Sequence, residues 1–355
     1  MGATSRTVVR RPQKETAITT TIRDGSEGPG RELLRELHGL REAVPLAPYC
    51  AYRVGGPAEL LFEATTTADL RSAVVAGHQA GLPVTVLGQA TNVLVADDGL
   101  PGLVVLARNA VAGVQDDVLT CDAGAVLAPV VTSLAERGLA GLEFAGNIPG
   151  SVGGAVVGNA GAYGRAVADV LIAAELLVGA DVRSFTSADL RMGYRTSILK
   201  DPAAIARADA GPGDGRSGAV PGAGPAARDL AGACVLRATF ALSSGSASAL
   251  REEIARDAEL RRSKHPLEYA SCGSYFRNPS PDQPAALLIE QAGLKGFRVG
   301  LAEVSRRHAN FLVALKGARA SDILALAEEV KRRVLEQSGV PLIEEVVRLG
   351  FVSEA

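Results

Sequence analysis

The chain has 355 residues, enough for two or three domains of ordinary size. A formal net charge of −2 and a pI near 6.2 leave no electrostatic case for nucleic acid or an anionic membrane as partner. Apolar residues make up 47% but form no run of membrane-spanning length, and four scattered cysteines (Cys50, Cys121, Cys234, Cys272) and four scattered histidines indicate neither a disulfide framework nor a metal centre.

Residues 1–30 are polar, lack the apolar core of a secretory signal and read as a mobile tail, which points to a cytoplasmic enzyme. Strands are expected at 58–62 and 84–88. The helix between them, in "ADLRSAVVAGHQAGLP", carries Leu70, Val74 and Gly77 at helical spacing, with Thr67 as N-cap. Strands at 102–107 and 117–122 lead to a helix at 126–138, and further strands follow at 170–178 and 234–242. Between those two, 203–229 is dominated by Ala, Gly and Pro. It has almost nothing to bury and reads as a flexible surface insertion. "SASALREEIARDAELRRSKHP" is a charged helix with Leu250, Ile254 and Ala258 on one face, ending before Pro266. A helix at 284–293 and strands at 301–304 and 309–315 come next. A helix started by Ser321 or Asp322 and closed by Gly339, then the strand-like "VPLIEEVVRLGF", complete an α+β domain with its own core.

One stretch stands apart. "GNIPGSVGGAVVGNAGAYG" (146–164) spends glycine heavily, although each costs about 0.5–1 kcal/mol in a regular element. "LGQATNVLV" (87–95) and "AYRVGGPA" (51–58) are similar in kind. Tight turns of this type form anion-binding nests, and glycine lets a pyrophosphate approach the backbone. Glycine turns at strand corners are the plain structural alternative. None of the segments is a G-x-G-x-x-G fingerprint or a P-loop.

Seven motifs in order carry a resemblance: "YRVGGPA", "LGQATNVLV", "GNIPGSVGGAVVGNAGAYG", "MGYRTSILK", "SCGSYFRNP", "LIEQAGLKGFRVGLAEVSRRHANFLV" and "EEVVRLG". Over about 46–351 the chain resembles the UDP-N-acetylenolpyruvoylglucosamine reductase family of peptidoglycan precursor synthesis, and its C-terminal half is similar to the type II branch. The resemblance implies an α+β chain. A two-subdomain FAD-binding fold of the vanillyl-alcohol-oxidase/PCMH type would occupy 31–245, and an α+β substrate-binding domain 246–355. It implies non-covalent FAD, in keeping with the lack of a histidine in the loops to tether it. The cofactor-binding positions would be Arg53, Gly88, Gln89, Ala90, Thr91, Asn92, Ile148, Pro149, Gly150, Ser151, Gly153, Gly154 and Asn159.

The reaction implied passes a hydride from NADPH through the flavin to the enolpyruvyl methylene carbon of UDP-N-acetylglucosamine enolpyruvate, giving UDP-N-acetylmuramate. Such chemistry needs a proton donor and a charge stabiliser for the developing enolate. Ser274 in "GSYFRNP" matches the family's proton donor and is preferred to Ser271, because the motif places the hydroxyl after Gly273. Arg195 in "GYRTS" matches the group that binds the substrate carboxylate and stabilises the enolate. Glu345 matches the acidic partner, where a raised pKa would help it donate; on a strand, Glu344 must face the other way. Tyr194, Arg277, Asn278, Lys295 and His308 are the substrate-site candidates. The substrate and NADPH are the implied partners of a cytoplasmic monomer without metal. Several positions depart from the family pattern. Ala90 and Thr91 stand where Gly and Ser are usual, and Ala51 and Gly158 each replace a polar residue. Asn147 replaces a glycine and is expected to keep a left-handed backbone.

Overall fold

The computed structural model describes residues 29–200, 230 and 232–351. The insertion read at 203–229 lies outside the described residues, as does the tail read at 1–30 apart from Pro29 and Gly30, which open the first helix.

The chain begins with α1 (Pro29–Arg35), β1 (Arg41–Pro45), β2 (Pro57–Ala64), α2 (Thr67–Gln79), β3 (Val84–Leu87), β4 (Val93–Val95) and β5 (Leu100–Ala107). Their sheet runs β1-β2-β5-β3, with β5 parallel to both β2 and β3. β5 is buried on both faces, as a central parallel strand must be. Its side chains alternate between two cores. Leu103 and Val105 pack with Leu70 and Val74 of α2, whereas Val104 and Leu106 pack with Leu61, Leu87 and Val95. The N-cap of α2 is Thr66 rather than Thr67. Thr66 is the last extended residue, and its hydroxyl accepts the Asp69 N–H while the Asp69 carboxylate accepts the Thr66 N–H, both at 3.0 Å.

The second unit comprises β6 (Ala112–Gln115), β7 (Val118–Asp122), α3 (Leu127–Glu136), β8 (Leu139–Ala140), α4 (Val152–Gly158), β9 (Gly161–Ala162), β10 (Arg165–Ala166), β11 (Leu171–Val178), β12 (Asp181–Phe185), β13 (Cys234–Ala241), β14 (Ser243–Ser244) and α5 (Ala247–Lys264). Its antiparallel sheet runs β12-β11-β13-β7-β6. The edge strands β6 and β12 were not expected. Both are almost wholly exposed, so they carry no apolar alternation to read.

The third unit holds α6 (Ala285–Gln291), β15 (Arg298–Val299), β16 (Ala302–Val304), β17 (Leu312–Ala314), α7 (Ala320–Ser338) and β18 (Val347–Leu349). The meander β15-β16-β17 and the two helices share a core around Ile289, Val304, Leu312, Ile323 and Val330. α7 starts at Ala320, one residue before the expected start. The Asp322 carboxylate accepts the Arg319 N–H at 3.0 Å, while Asp97, from the first unit, accepts the N–H groups of Ala320 (2.8 Å) and Ser321 (3.0 Å). Gly339 closes the helix at φ 71°.

Besides the Asp97 cap, two features weld the third unit to the first. Tyr52 is fully buried in the C-terminal core, and its hydroxyl donates to the Leu312 carbonyl at 3.1 Å. β18, shorter than the strand expected over 340–351, pairs in parallel with β4, Val347 opposite Val93.

Candidate active site

Two loops meet beside the first sheet. Residues 88–92 leave β3, and residues 148–151 lead into α4. The Thr91 hydroxyl donates to the Pro149 carbonyl at 3.1 Å, and Ser151 caps α4 by accepting the Gly154 N–H. Ile148 packs against the central core, and Gln89 is half-buried at the loop's surface. The glycines here have different reasons to be glycine. A Cβ on Gly88 would lie 2.0 Å from the Ser151 Oγ, and one on Gly153 would lie 2.9 Å from the Ala123 Cβ. Gly56 is similar: its Cβ would sit 2.1 Å from the Asp97 carbonyl oxygen, so "AYRVGGPA" is a close chain crossing, with Arg53 exposed beside it. Gly154 and Gly158 differ. They lie four apart on one face of α4; among the described residues only the Ser151 Oγ comes within 4 Å of a Gly154 Cβ, and nothing does at Gly158. Gly150, at φ 142°, meets only the Thr91 Oγ1, at 3.2 Å. Among the described residues no other side chain covers this backbone closely, which fits a dinucleotide laid along it.

Ala90, 6% exposed, has φ 46°, and its carbonyl accepts the Ala51 N–H. Asn147 does not adopt the expected left-handed backbone. Its side-chain amide instead donates to the Ile254 carbonyl at 2.9 Å, tying the loop to α5 without a turn reversal. The left-handed non-glycine residues of the stretch are Asn159, at the end of α4 with φ 43°, and Tyr163, with φ 53°. The Asn159 amide is fully engaged. Nδ2 donates to the Gly193 carbonyl and Oδ1 accepts the Ala168 N–H, both at 2.9 Å, so Asn159 supports the turn that carries Arg195.

That turn, Gly193–Thr196, closes on itself and sets Arg195 at φ 56°, with its guanidinium 5.6 Å from the ring centre of the exposed Tyr194. Arg195 Nε lies 3.2 Å from Glu345 Oε1. The N–H is not aimed along that line, and the buried nitrogen has no hydrogen-bond partner among the described residues. The pair is a charge contact with a donor to spare.

Three elements position Glu345. Its N–H donates to the Tyr275 carbonyl at 2.8 Å; its carbonyl accepts Asn92 Nδ2 at 3.2 Å and Lys200 Nζ at 3.0 Å. Residues 275–277 run antiparallel to 343–345, with the Arg277 N–H on the Ile343 carbonyl and Phe276 bridged to Glu344. Buried Asn310 holds this segment from the other side, accepting the Phe276 N–H at 2.9 Å and donating to the Phe276 carbonyl at 2.8 Å. Ser274 is half-buried one residue before this junction, after Gly273 at φ 80°. Burial pushes the Glu345 carboxyl pKa up; the charges of Arg195, Lys200 and Arg277 pull the other way without cancelling the rise. Arg277 also has a buried Nε with no hydrogen-bond partner among the described residues.

The fold therefore gathers Asn92, Arg195, Ser274, Arg277 and Glu345. Other candidates have local partners. Asn278 is exposed and its Oδ1 accepts the Ala285 N–H at the start of α6. Lys295 pairs with Glu290 at 2.8 Å, and His308 stacks edge-on to His265 with ring centres 5.3 Å apart. Burial lowers the His308 pKa, and the nearby Lys295 charge adds to the effect. Sequence reasoning missed Lys200 and Asn310. Lys200 had a readable signal, as the last residue of "MGYRTSILK"; Asn310 had none beyond its place in "HANF".

Residues 265–349 match the family model described as UDP-N-acetylenolpyruvoylglucosamine reductase, C-terminal domain, and residues 58–181 match an FAD binding domain. The UDP-N-acetylenolpyruvoylglucosamine reductase of Rubrobacter xylanophilus is 42% identical, over 86% of this chain and 94% of its own. The protein of the same name from Lactobacillus delbrueckii is 36% identical, over 88% and 95%. The crystal structure of UDP-N-acetylenolpyruvylglucosamine reductase from Thermus caldophilus is similar at a TM-score of 0.67 and 33% identity, covering 87% of this chain and 99% of that one.

Proposed function

Since the chain belongs to the UDP-N-acetylenolpyruvoylglucosamine reductase family and reduces UDP-N-acetylglucosamine enolpyruvate to UDP-N-acetylmuramate with FAD and NADPH, we propose that Arg195, Ser274 and Glu345 are the residues that carry that reaction. The observation behind this reading is the convergence of Arg195 and Glu345, 3.2 Å apart, on the segment that bears Ser274.

When bound, FAD supplies the relay of a hydride from NADPH to the enolpyruvyl methylene. The loops at 88–92 and 148–154 hold the cofactor, and the bare face of α4 leaves room for it. The guanidinium of Arg195, with an unengaged donor, binds the substrate carboxylate and stabilises the negative charge that develops beside it. The Ser274 hydroxyl supplies the proton to the neighbouring carbon. A serine is a weak acid in water, so position must supply much of its effect. Glu345 hydrogen-bonds the enolic oxygen, helped by a pKa raised through burial.

Residues 31–245 form the cofactor domain and 246–355 the substrate domain, and Tyr194, Arg277, Asn278, Lys295 and His308 contact the sugar nucleotide. The protein works as a cytoplasmic monomer; no helix among the described residues is long and apolar enough to cross a membrane. Purified protein is expected to be yellow. Ser274→Ala is expected to leave flavin reduction by NADPH intact and to slow reoxidation by the substrate by about 100-fold or more in stopped-flow absorbance. A colourless protein, or loss of the first half-reaction instead, overturns the assignment.

A further inference from the structure

Glu344 and Glu345 are chemically identical neighbours facing opposite ways, and only one of them lies against Arg195. The backbone pairing behind that choice is short: β18 holds β4 over three residues, and 343–345 meets 275–277 through two N–H···O bonds, Arg277 to Ile343 and Glu345 to Tyr275. A slip of one residue in the 343–346 segment would exchange the two acids, since side chains alternate faces with a period of two.

The far side of the strand holds Glu344 instead. Arg348 Nε donates to Glu344 Oε2 at 2.6 Å, and its Nη2 donates to Glu344 Oε1, so the carboxylate is gripped on both oxygens. The same Nη2 reaches Glu328 of α7. Lys331, one turn further along α7, lies 3.0 Å from Glu328 and 3.5 Å from Glu344. Two cations and two anions thus close a neutral cluster in which Glu344 is the acid of the 343–346 segment, while α7 supplies Glu328 and Lys331 from outside.

We propose that Arg348 is a positioning residue that locks the register of the 343–346 segment. By claiming Glu344 for the outer face, it ensures that Glu345 is the acid presented to Arg195 and to the segment that carries Ser274. The correct register is then the one in which both acids are paired. The inference rests on the assignment of Glu345 to the reaction.

The test uses the FAD-loaded protein, with each half-reaction followed separately. Arg348→Met removes both hydrogen bonds to Glu344 and leaves it only the longer Lys331 contact, so Glu344 can compete for Arg195. It is expected to slow reoxidation by the substrate about 10- to 100-fold while leaving flavin reduction by NADPH within about twofold. Adding Glu344→Gln to that variant removes the competitor and is expected to restore most of the lost rate. Glu344→Gln alone is expected to stay within about threefold of the unmodified protein, and this arm stands even if Arg348→Met fails to fold. A double variant as slow as Arg348→Met, equal slowing of both half-reactions, or a large loss in Glu344→Gln alone overturns the lock. Glu345→Gln separates the two failures: if it leaves reoxidation unchanged, the catalytic assignment of Glu345 falls and the lock falls with it.

Discussion

A carboxylate buried among three cations is pulled in opposite directions, and at Glu345 burial wins, so its pKa lies above 4.5. The neutral acid therefore persists to higher pH than in a free glutamate. If the neutral form donates to the enolic oxygen, reoxidation by the substrate is expected to be flat below the Glu345 pKa. Above it the rate is expected to fall about tenfold per pH unit, and Glu345→Gln abolishes this limb in stopped-flow pH profiles. Ala90 is a second residue-scale case. An alanine at φ 46° pays a left-handed penalty that glycine avoids, partly offset by the extra freedom of glycine in the unfolded chain. Ala90→Gly is expected to stabilise the protein by about 0.5–1 kcal/mol, read from the denaturant midpoint. The strain at Ala90 was legible, because a residue with a Cβ stood where a turn called for glycine. Asn147 misled for the converse reason: its type permits a left-handed backbone, but its amide found a distant carbonyl and removed the need.

Among the elements, α7 depends on a cap supplied from another unit. Burial would raise the Asp97 pKa, but the hydrogen bonds from Ser321 and Ala320 and the Arg319 charge outweigh it and hold the carboxyl low. A depressed folded pKa contributes stability that is present above the ordinary carboxylate range and is lost as pH falls through the folded value. Asp97→Ala is therefore expected to cost about 1–2 kcal/mol at neutral pH and less in acid, measured by urea unfolding at both pH values. The helix itself was plain in its apolar spacing, whereas its first residue was not. The capping group lies 223 positions away, beyond any local pattern. β6 and β12 were illegible because an exposed edge strand has no buried face to print on the sequence.

At the scale of the whole molecule, the proposed cofactor cradle lies where loops of the first two units meet, joined by the Thr91 hydroxyl on the Pro149 carbonyl. Removal of FAD is expected to lower the unfolding midpoint. Restoring it at about 100 times its dissociation constant should return about 2.7 kcal/mol, seen as a concentration-dependent shift in calorimetry. The motifs told which residue types would assemble, and their order along the chain told the domain sequence. That Lys200 would fasten the Glu345 backbone, or that Tyr52 would be buried in the C-terminal core, required the tertiary fold.

The pairing of β18 with β4 also has a consequence in time. Asn92 and Glu345 are 253 positions apart, so at ordinary rates of translation the cofactor loop is made roughly 10–50 s before the acid that will lean on it. During that interval β4 presents an unmatched edge to the cell, and the active site stays open on one side. The nascent protein can thus gather its first two units early, but it becomes an enzyme only when almost the last of the described residues has been added.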